Sequence, residues 1–370
     1  MMCFIAPLAL TAGVFAAYWN SFPGAFQFDD FNVIVGNAAV HSFQAWLSDA
    51  PSGIRPALKF TYLLNWVGGA GAFGFHAVNT IIHSLNVVLI YFLSRAFLEN
   101  RGASPRTAFF CALMFALHPA QTEAVTYISG RSASLMGAFY LGSVLAYHLG
   151  SKHEKWFLLR CVSPLLFALA LLTKEAAATL PAALLLWDRF RAPRPSIKES
   201  FRDSAAHWAL LLAGAAAVWA HPGYSRILDG VAAAPGVWDN AAARVNGLYH
   251  LVSRMFLIPP LNIDPDFSGE ASWNVSLAGK ALFLAFLCVS ALVCHRKKYF
   301  SGFPFLWFFL LLLPTNLVVV RSDLANDRHF YLPSWGMFLA MSMGLEKVAA
   351  SGPWKRKVAI AWTVFASAAF

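Results

Sequence analysis

Charge is scarce in this chain. Asp, Glu, Lys and Arg make up 12% of its 370 residues, whereas soluble domains run nearer a quarter. So little charge cannot cover a water-facing surface, which excludes an ordinary soluble domain. Cysteine is also scarce. Cys3, Cys111, Cys161, Cys288 and Cys294 fall in apolar runs or at their ends. No zinc spacing or disulfide framework connects them, so they read as small buried hydrophobes. No phosphate-binding Gly loop is present. No internal repeat or low-complexity tract is visible. The apolar run at 3–19 lacks a basic leader and a small-residue cleavage site, which leaves a retained span and not a removed signal peptide.

Hydrophobic residues are abundant, at 58% of the chain. Several apolar stretches reach the roughly 18 residues that cross a bilayer. The expected architecture is an all-α polytopic membrane protein, a single domain over 1–370. Spans are expected near 3–19, 77–96, 107–126, 132–149, 156–173, 174–188, 206–221, 278–294, 300–320, 331–347 and 356–370, about eleven in all. The third contains His118-Pro119 and the sixth opens on Lys174-Glu175.

The net charge of +10 does not point to nucleic acid, because the basic residues collect in short connections that alternate with others poorer in Lys and Arg. That is the positive-inside pattern, and it places the N-terminus in the cytoplasm. The resulting topology puts 18 Lys/Arg and 6 Asp/Glu inside, against 10 and 12 outside. Acids are therefore concentrated on the outer face. Two outer connections are long, about 20–76 and about 222–277, and each holds a candidate surface helix. In the first, 54–66, Arg55 and Lys59 share a face at i,i+4, with Ile54, Leu58 and Leu64 toward lipid. In the second, Val245, Leu248, Val252 and Phe256 form an apolar stripe opposite Asn246, His250 and Ser253. A Pro-rich stretch follows at 258–266. The last apolar run ends at Phe370, which suits a fragment or an unusually short chain.

Four polar constellations fall on the outer face. Asp29-Asp30, in Phe28-Asp29-Asp30-Phe31, offers a general base with a neighbour that tunes it. A cap or turn would use the same residues. His118-Pro119, Thr122-Glu123 and Gly130-Arg131 bring His, Glu and Arg together, and Arg suits bidentate phosphate recognition. An internal Glu123–Arg131 ion pair is the structural alternative. Lys174-Glu175 offers a second phosphate contact or a solvated turn. Asp327-Arg328-His329 would add cations to a helix N-terminus or anchor the chain at an interface. His76, Asn79 and His83 on the second span suit satisfied core groups better than ligands. No zinc set appears. A divalent cation on Asp29, Asp30, Glu123 and His118 is the one metal option, with His118 counting against it because Mg and Ca prefer oxygen. Asn274-Val275-Ser276 is an outer-facing glycosylation triplet of a kind common by chance.

In this order the motifs resemble one family. Phe28-Asp29-Asp30 with Asn37, Arg55-Pro56, Phe75-His76-Ala77-Val78-Asn79 and His83-Ser84 look like its first outer loop and second helix. Leu117-His118-Pro119, Thr122-Glu123-Ala124-Val125, Gly130-Arg131, Lys174-Glu175 and Asp327-Arg328-His329-Phe330-Tyr331-Leu332-Pro333-Ser334 complete the pattern. It is that of the transmembrane and tetratricopeptide-repeat-containing O-mannosyltransferases and their bacterial relatives, which are similar to protein O-mannosyltransferases and share the GT-C glycosyltransferase fold. The repeats that usually follow the membrane part in that family are absent from these residues. Asn326 stands where relatives often carry an acid shortly before the Arg.

The resemblance implies a lipid-phosphate-linked sugar as donor, mannose or another hexose, and a hydroxyl acceptor on protein or glycan. It implies no certain cofactor. Transfer then needs a base, for which Asp29 is chosen with Asp30 beside it. It also needs cations for the departing phosphate, and Arg131, Lys174, Arg328 and Arg55 are the candidates. His118, Glu123, Glu175 and His329 would support them. The expected location is a bacterial inner membrane, with the endoplasmic reticulum as the alternative. A transporter or flippase would place charges midway along helices and often show repeats. A non-catalytic assembly factor is the third class.

Overall fold

A computed structural model describes residues 2–99, 101–220, 241–256, 274–296, 301–314 and 326–352. These residues are helical, with no strand among them. The helices are α1 (Met2–Tyr18), α2 (Phe43–Asp49), α3 (Pro56–Val67), α4 (Gly71–Leu98), α5 (Pro105–Leu117), α6 (Thr122–Val125), α7 (Arg131–Lys152), α8 (Ser163–Leu171), α9 (Leu180–Phe190), α10 (Ile197–Ala220), α11 (Ala241–Arg254), α12 (Val275–Arg296), α13 (Gly302–Leu313) and α14 (Ser334–Ala350). The expected span at 356–370, the later part of 300–320 and the Pro-rich stretch at 258–266 lie outside the described residues.

Two described helices, Gly71–Leu98 and Val275–Val293, are long and apolar enough to cross a membrane. Pro105–Leu117, Leu158–Leu171 and Gly302–Leu313 are shorter apolar helices. α7, with 22 residues, extends about 33 Å at 1.5 Å per residue. Large apolar side chains face outward, among them Leu8, Leu165, Leu212, Trp219, Leu282 and Phe286. A surface of that kind is costly in water and compatible with lipid.

α4 packs against α1, α5 and α7; α7 packs on α8, and α14 on α5 and α13. Trp187, Trp307, Trp335 and Phe303 interlock at the centre of the larger core, and Trp307 meets Trp335 edge-on at 4.7 Å. One polar network inside the bundle joins α4, α7 and the turn before α14. Asn86 Nδ2 donates to the Ser134 carbonyl at 2.7 Å and to Tyr331 Oη at 2.9 Å. His83 Nδ1 lies 2.8 Å from the same hydroxyl. A second, smaller core of Ile34, Val40, Leu58, Tyr62, Phe75 and Ile128 seats the first long connection, between α1 and α4, on one end of the bundle.

Three expectations change. The helix expected over 107–126 stops at Leu117, because Pro119 cannot continue it and biases His118 toward extended backbone. The chain then makes short turns through Pro119–Gln121, α6 and Ile128–Gly130 before α7 begins. In the first surface helix, Arg55 lies outside α3 with φ 57°. Lys59 pairs with Asp49 at 2.6 Å, and Leu58 is buried while Leu64 is exposed. Arg55 and Lys59 therefore serve different partners, and Leu58 faces protein. In α11 the buried face holds Asn246, Leu251, Val252 and Arg254, and Phe256 is exposed. The apolar stripe is displaced because the helix buries Arg254 against an acid across the site.

Candidate active site

The turns between α5 and α7 build the site. Gly130 is required where the chain folds back on α6, since a β-carbon there would lie 2.1 Å from the Glu123 carbonyl oxygen. This close approach sets Ser129, Gly130 and Arg131 against α4 and the first long connection.

The two neighbouring aspartates receive opposite environments. Asp30 is 1% exposed. Its carboxylate accepts the N–H of Gln27 and of Ser129, each at 2.9 Å, and the Ser129 hydroxyl. Those donors fill much of its acceptor capacity and fix the loop to the turn before α7. The Asp29 side chain is 60% exposed. Its backbone N–H donates to Tyr127 Oη at 3.0 Å, which leaves the carboxylate facing a cavity of about 1020 Å³.

Across that cavity stands Arg328, at the short turn Asp327–His329. Its Nη1 lies 4.0 Å from Asp29 Oδ2. Its backbone N–H donates to Glu123 Oε2 at 2.7 Å, and its Nε is 3.6 Å from Glu123 Oε1. Burial pushes the Glu123 carboxyl up to about 7, against the opposing pull of Arg328. Next to Arg328, Asp327 accepts the Nε–H of Arg254 at 2.8 Å. Burial raises the Asp327 carboxyl to about 6, while Arg254 lowers it. Arg254, Asp327, Glu123 and Arg328 all line the cavity with Asp29. Lys174 and His329 are buried and share a small adjacent cavity of about 20 Å³ with Arg328.

Arg131 stands elsewhere. It is fully buried. Its Nε donates to Asn79 Oδ1 at 2.6 Å, Nη1 reaches the Thr61 carbonyl at 3.2 Å, and Nη2 donates to the Phe75 carbonyl at 3.0 Å. Tyr62 and Phe75 lie against the guanidinium at 5.0 and 5.2 Å. These contacts occupy the fork that a phosphate would need, so Arg131 acts as a bolt between the first loop, α4 and α7. The Glu123–Arg131 ion pair does not form, because Glu123 takes Arg328.

Arg55 is likewise committed. Its Nε and Nη2 donate to Glu175 at 3.0 and 2.7 Å, a bidentate clamp between the first loop and the turn after α8. Neither residue lines the Asp29 cavity. His118 Nδ1 accepts the Ala120 N–H at 3.3 Å, and its ring packs on Phe338 at 5.0 Å. The expected cation set of Asp29, Asp30, Glu123 and His118 does not assemble: among the described residues no three His, Cys, Asp or Glu side chains converge as a metal group. Asp30 is occupied by N–H donors, and Glu123 by Arg328.

Arg254 and Tyr127 do not stand out in the sequence, and Asp327 stands there only as part of the Asp327-Arg328-His329 motif, without a role of its own. Arg254 carried no signal, because on the apolar pattern of α11 it falls opposite the stripe expected to be buried. Tyr127 had none beyond its place between Glu123 and Arg131.

No family model matches the chain, and no solved structure matches it. A protein O-mannosyl-transferase of Caenorhabditis elegans is 25% identical over 90% of this chain and 50% of its own length. Mouse protein O-mannosyl-transferase TMTC4 is 26% identical over 92% of this chain and 55% of its own. Mouse protein O-mannosyl-transferase TMTC1 is 33% identical over 54% of this chain and 23% of its own. The chain thus spans about half, or less, of the length of these curated relatives. Over nearly all of its own length it is similar to proteins named as protein O-mannosyl-transferases.

Proposed function

We propose that the protein is a membrane glycosyltransferase of the GT-C type, built as one domain of about eleven spans. It would move a hexose, mannose first among the candidates, from a polyprenyl-phosphate donor to a hydroxyl on a protein or glycan at the outer face. The observation that carries this function is the exposed Asp29 carboxylate facing the Arg328 guanidinium at 4.0 Å across one large cavity. The names of the similar proteins support the same reaction class.

The chemistry is a single displacement. The acceptor oxygen forms a bond to the anomeric carbon as Asp29 takes its proton. The bond from that carbon to the phosphate oxygen breaks, and its electron pair leaves on the lipid phosphate. Arg328, with Lys174 behind it, meets the charge that develops there. Attack opposite the leaving group inverts the anomeric centre. Glu123 orients Arg328 through its backbone and side chain, and Arg254 holds Asp327 beside it. No nucleotide takes part, which accounts for the missing Gly loop.

The test is incubation of the purified protein with a panel of polyprenyl-phosphate sugars and hydroxyl acceptors. Expected is release of the lipid phosphate with one sugar, matched by sugar on the acceptor. Release no faster than that of Asp29→Asn with every donor overturns the proposal.

A further inference from the structure

Phe28, immediately before Asp29, has a backbone φ of +45°. Bulky side chains rarely adopt that conformation. The turn that imposes it is closed twice: Asp30 N–H donates to the Gln27 carbonyl at 2.9 Å, and Gln27 N–H donates to Asp30 Oδ2 at 2.9 Å. Phe28 occupies the first central position of this turn, where positive φ favours Gly, Asn or Asp. For folding alone, glycine would serve better.

The ring does not repay the strain by packing. It is 75% exposed. Its ring meets Tyr127 edge-on at 6.4 Å, and Tyr127 is the residue whose hydroxyl holds the Asp29 backbone. One turn thus directs a carboxylate and an uncovered aromatic face at the same cavity. His76, 4% exposed, also lines that cavity.

We propose that Phe28 is the platform on which the pyranose of the donor lies. The inference rests on the transfer chemistry above and identifies its sugar-binding side chain. The acceptor oxygen that gives its proton to Asp29 is the atom that bonds to the anomeric carbon, so the transferred sugar must lie against Asp29. The next residue back along the chain, one Cα step of about 3.8 Å away, is then within reach of that ring. A pyranose presents a face of C–H bonds, and the negative face of an aromatic ring attracts them. Phe28 is a positioning residue, and the backbone strain fixes where its ring points.

The experiment compares wild-type protein with Phe28→Gly, Phe28→Leu and Phe28→Tyr, using a short-chain polyprenyl-phosphate mannose and a hydroxyl peptide. Phe28→Gly should keep or raise Tm, because glycine tolerates the φ, while donor KM rises about five- to tenfold, the loss of one aromatic contact. Phe28→Leu should match Phe28→Gly in donor KM, and Phe28→Tyr should stay within about twofold of wild type. Acceptor KM should hold in all three. Equal donor KM in all four proteins overturns the proposal, and so does a change confined to acceptor KM. A leucine variant that behaves as wild type indicates a bilayer anchor and also overturns it. Saturation-transfer NMR on the bound donor separates this inference from the transfer reaction. Contact of aromatic protons with sugar C–H protons, lost in Phe28→Gly, supports Phe28 even if no transfer occurs, and absence of that contact in wild type overturns it.

Discussion

Two arginine sites share the end of the molecule that carries the first long connection, and they are opposites. Around Arg131 every polar contact is made to protein oxygens, two aromatic rings flank the cation, and no part of it is exposed. Around Arg328 the partners are carboxylates, one of them the exposed Asp29, and the guanidinium borders a cavity large enough for a substrate. The first arrangement is complete without a ligand. The second sets its ion pairs on the wall of that cavity. The aspartate pair repeats the contrast within one turn, with Asp30 held by donors and Asp29 open.

If the contrast holds, the largest effect comes from Asp29→Asn. It should lower kcat about a thousandfold, within the range of a lost general base, with Tm unchanged. Appreciable transfer by the purified variant would remove Asp29 from the chemistry. Next is Arg131→Met, which should cost about 3 kcal/mol of stability by leaving buried acceptors unpaired. Its folded fraction should turn over near the wild-type rate, whereas Arg328→Met should fold and lose about a hundredfold in kcat. Thermal melts read beside single-turnover rates distinguish the two, and interchanged results would reverse the assignment of the arginines.

Asp30→Asn should lose about 1–2 kcal/mol, because an amide can accept only part of what the carboxylate accepts. Its kcat should stay within a few-fold of wild type. A rate loss as large as that of Asp29→Asn, without loss of Tm, would make the pair a shared catalytic unit.

The smallest effect concerns pH. The Glu123 carboxyl is raised from 4.5 to about 7 by burial. Between those values the folded chain holds a proton that the unfolded chain has released, so stability falls as pH rises through the interval and levels off above it. Glu123→Gln should flatten this slope in Tm measured from pH 5 to 8, using ~1 unit steps. An unchanged slope would assign it to another group, with Asp327 the first candidate.

Asp29, Glu123 and Arg328 are far apart in the chain and meet at one cavity, as their types suggested. Sequence alone could not separate Asp29 from Asp30, because adjacent residues share every sequence-level property and differ only in which way the turn aims them. Arg131 misled for a related reason: an Arg after Gly at the start of a helix looks the same whether its fork meets phosphate or carbonyls. Helix ends followed local chemistry, and Pro119 ended α5 where hydropathy alone ran on to 126. The face that α11 buries was not legible, since a buried ion pair with Asp327 outweighs the apolar pattern.

The smaller core beneath the first loop has a consequence of its own. Ile34, Val40, Leu58, Tyr62 and Phe75 cohere apart from the tryptophan-centred interior. Two such bodies of contact open as separate cooperative units. Amide exchange should therefore occur in two tiers: amides of α3 released with the lesser core, those of α7 held until the whole bundle gives way. Lifting the loop that presents Asp29 would break the Asp30 and Arg131 contacts that fasten it, so its exchange should fall between that of a free loop and that of α7.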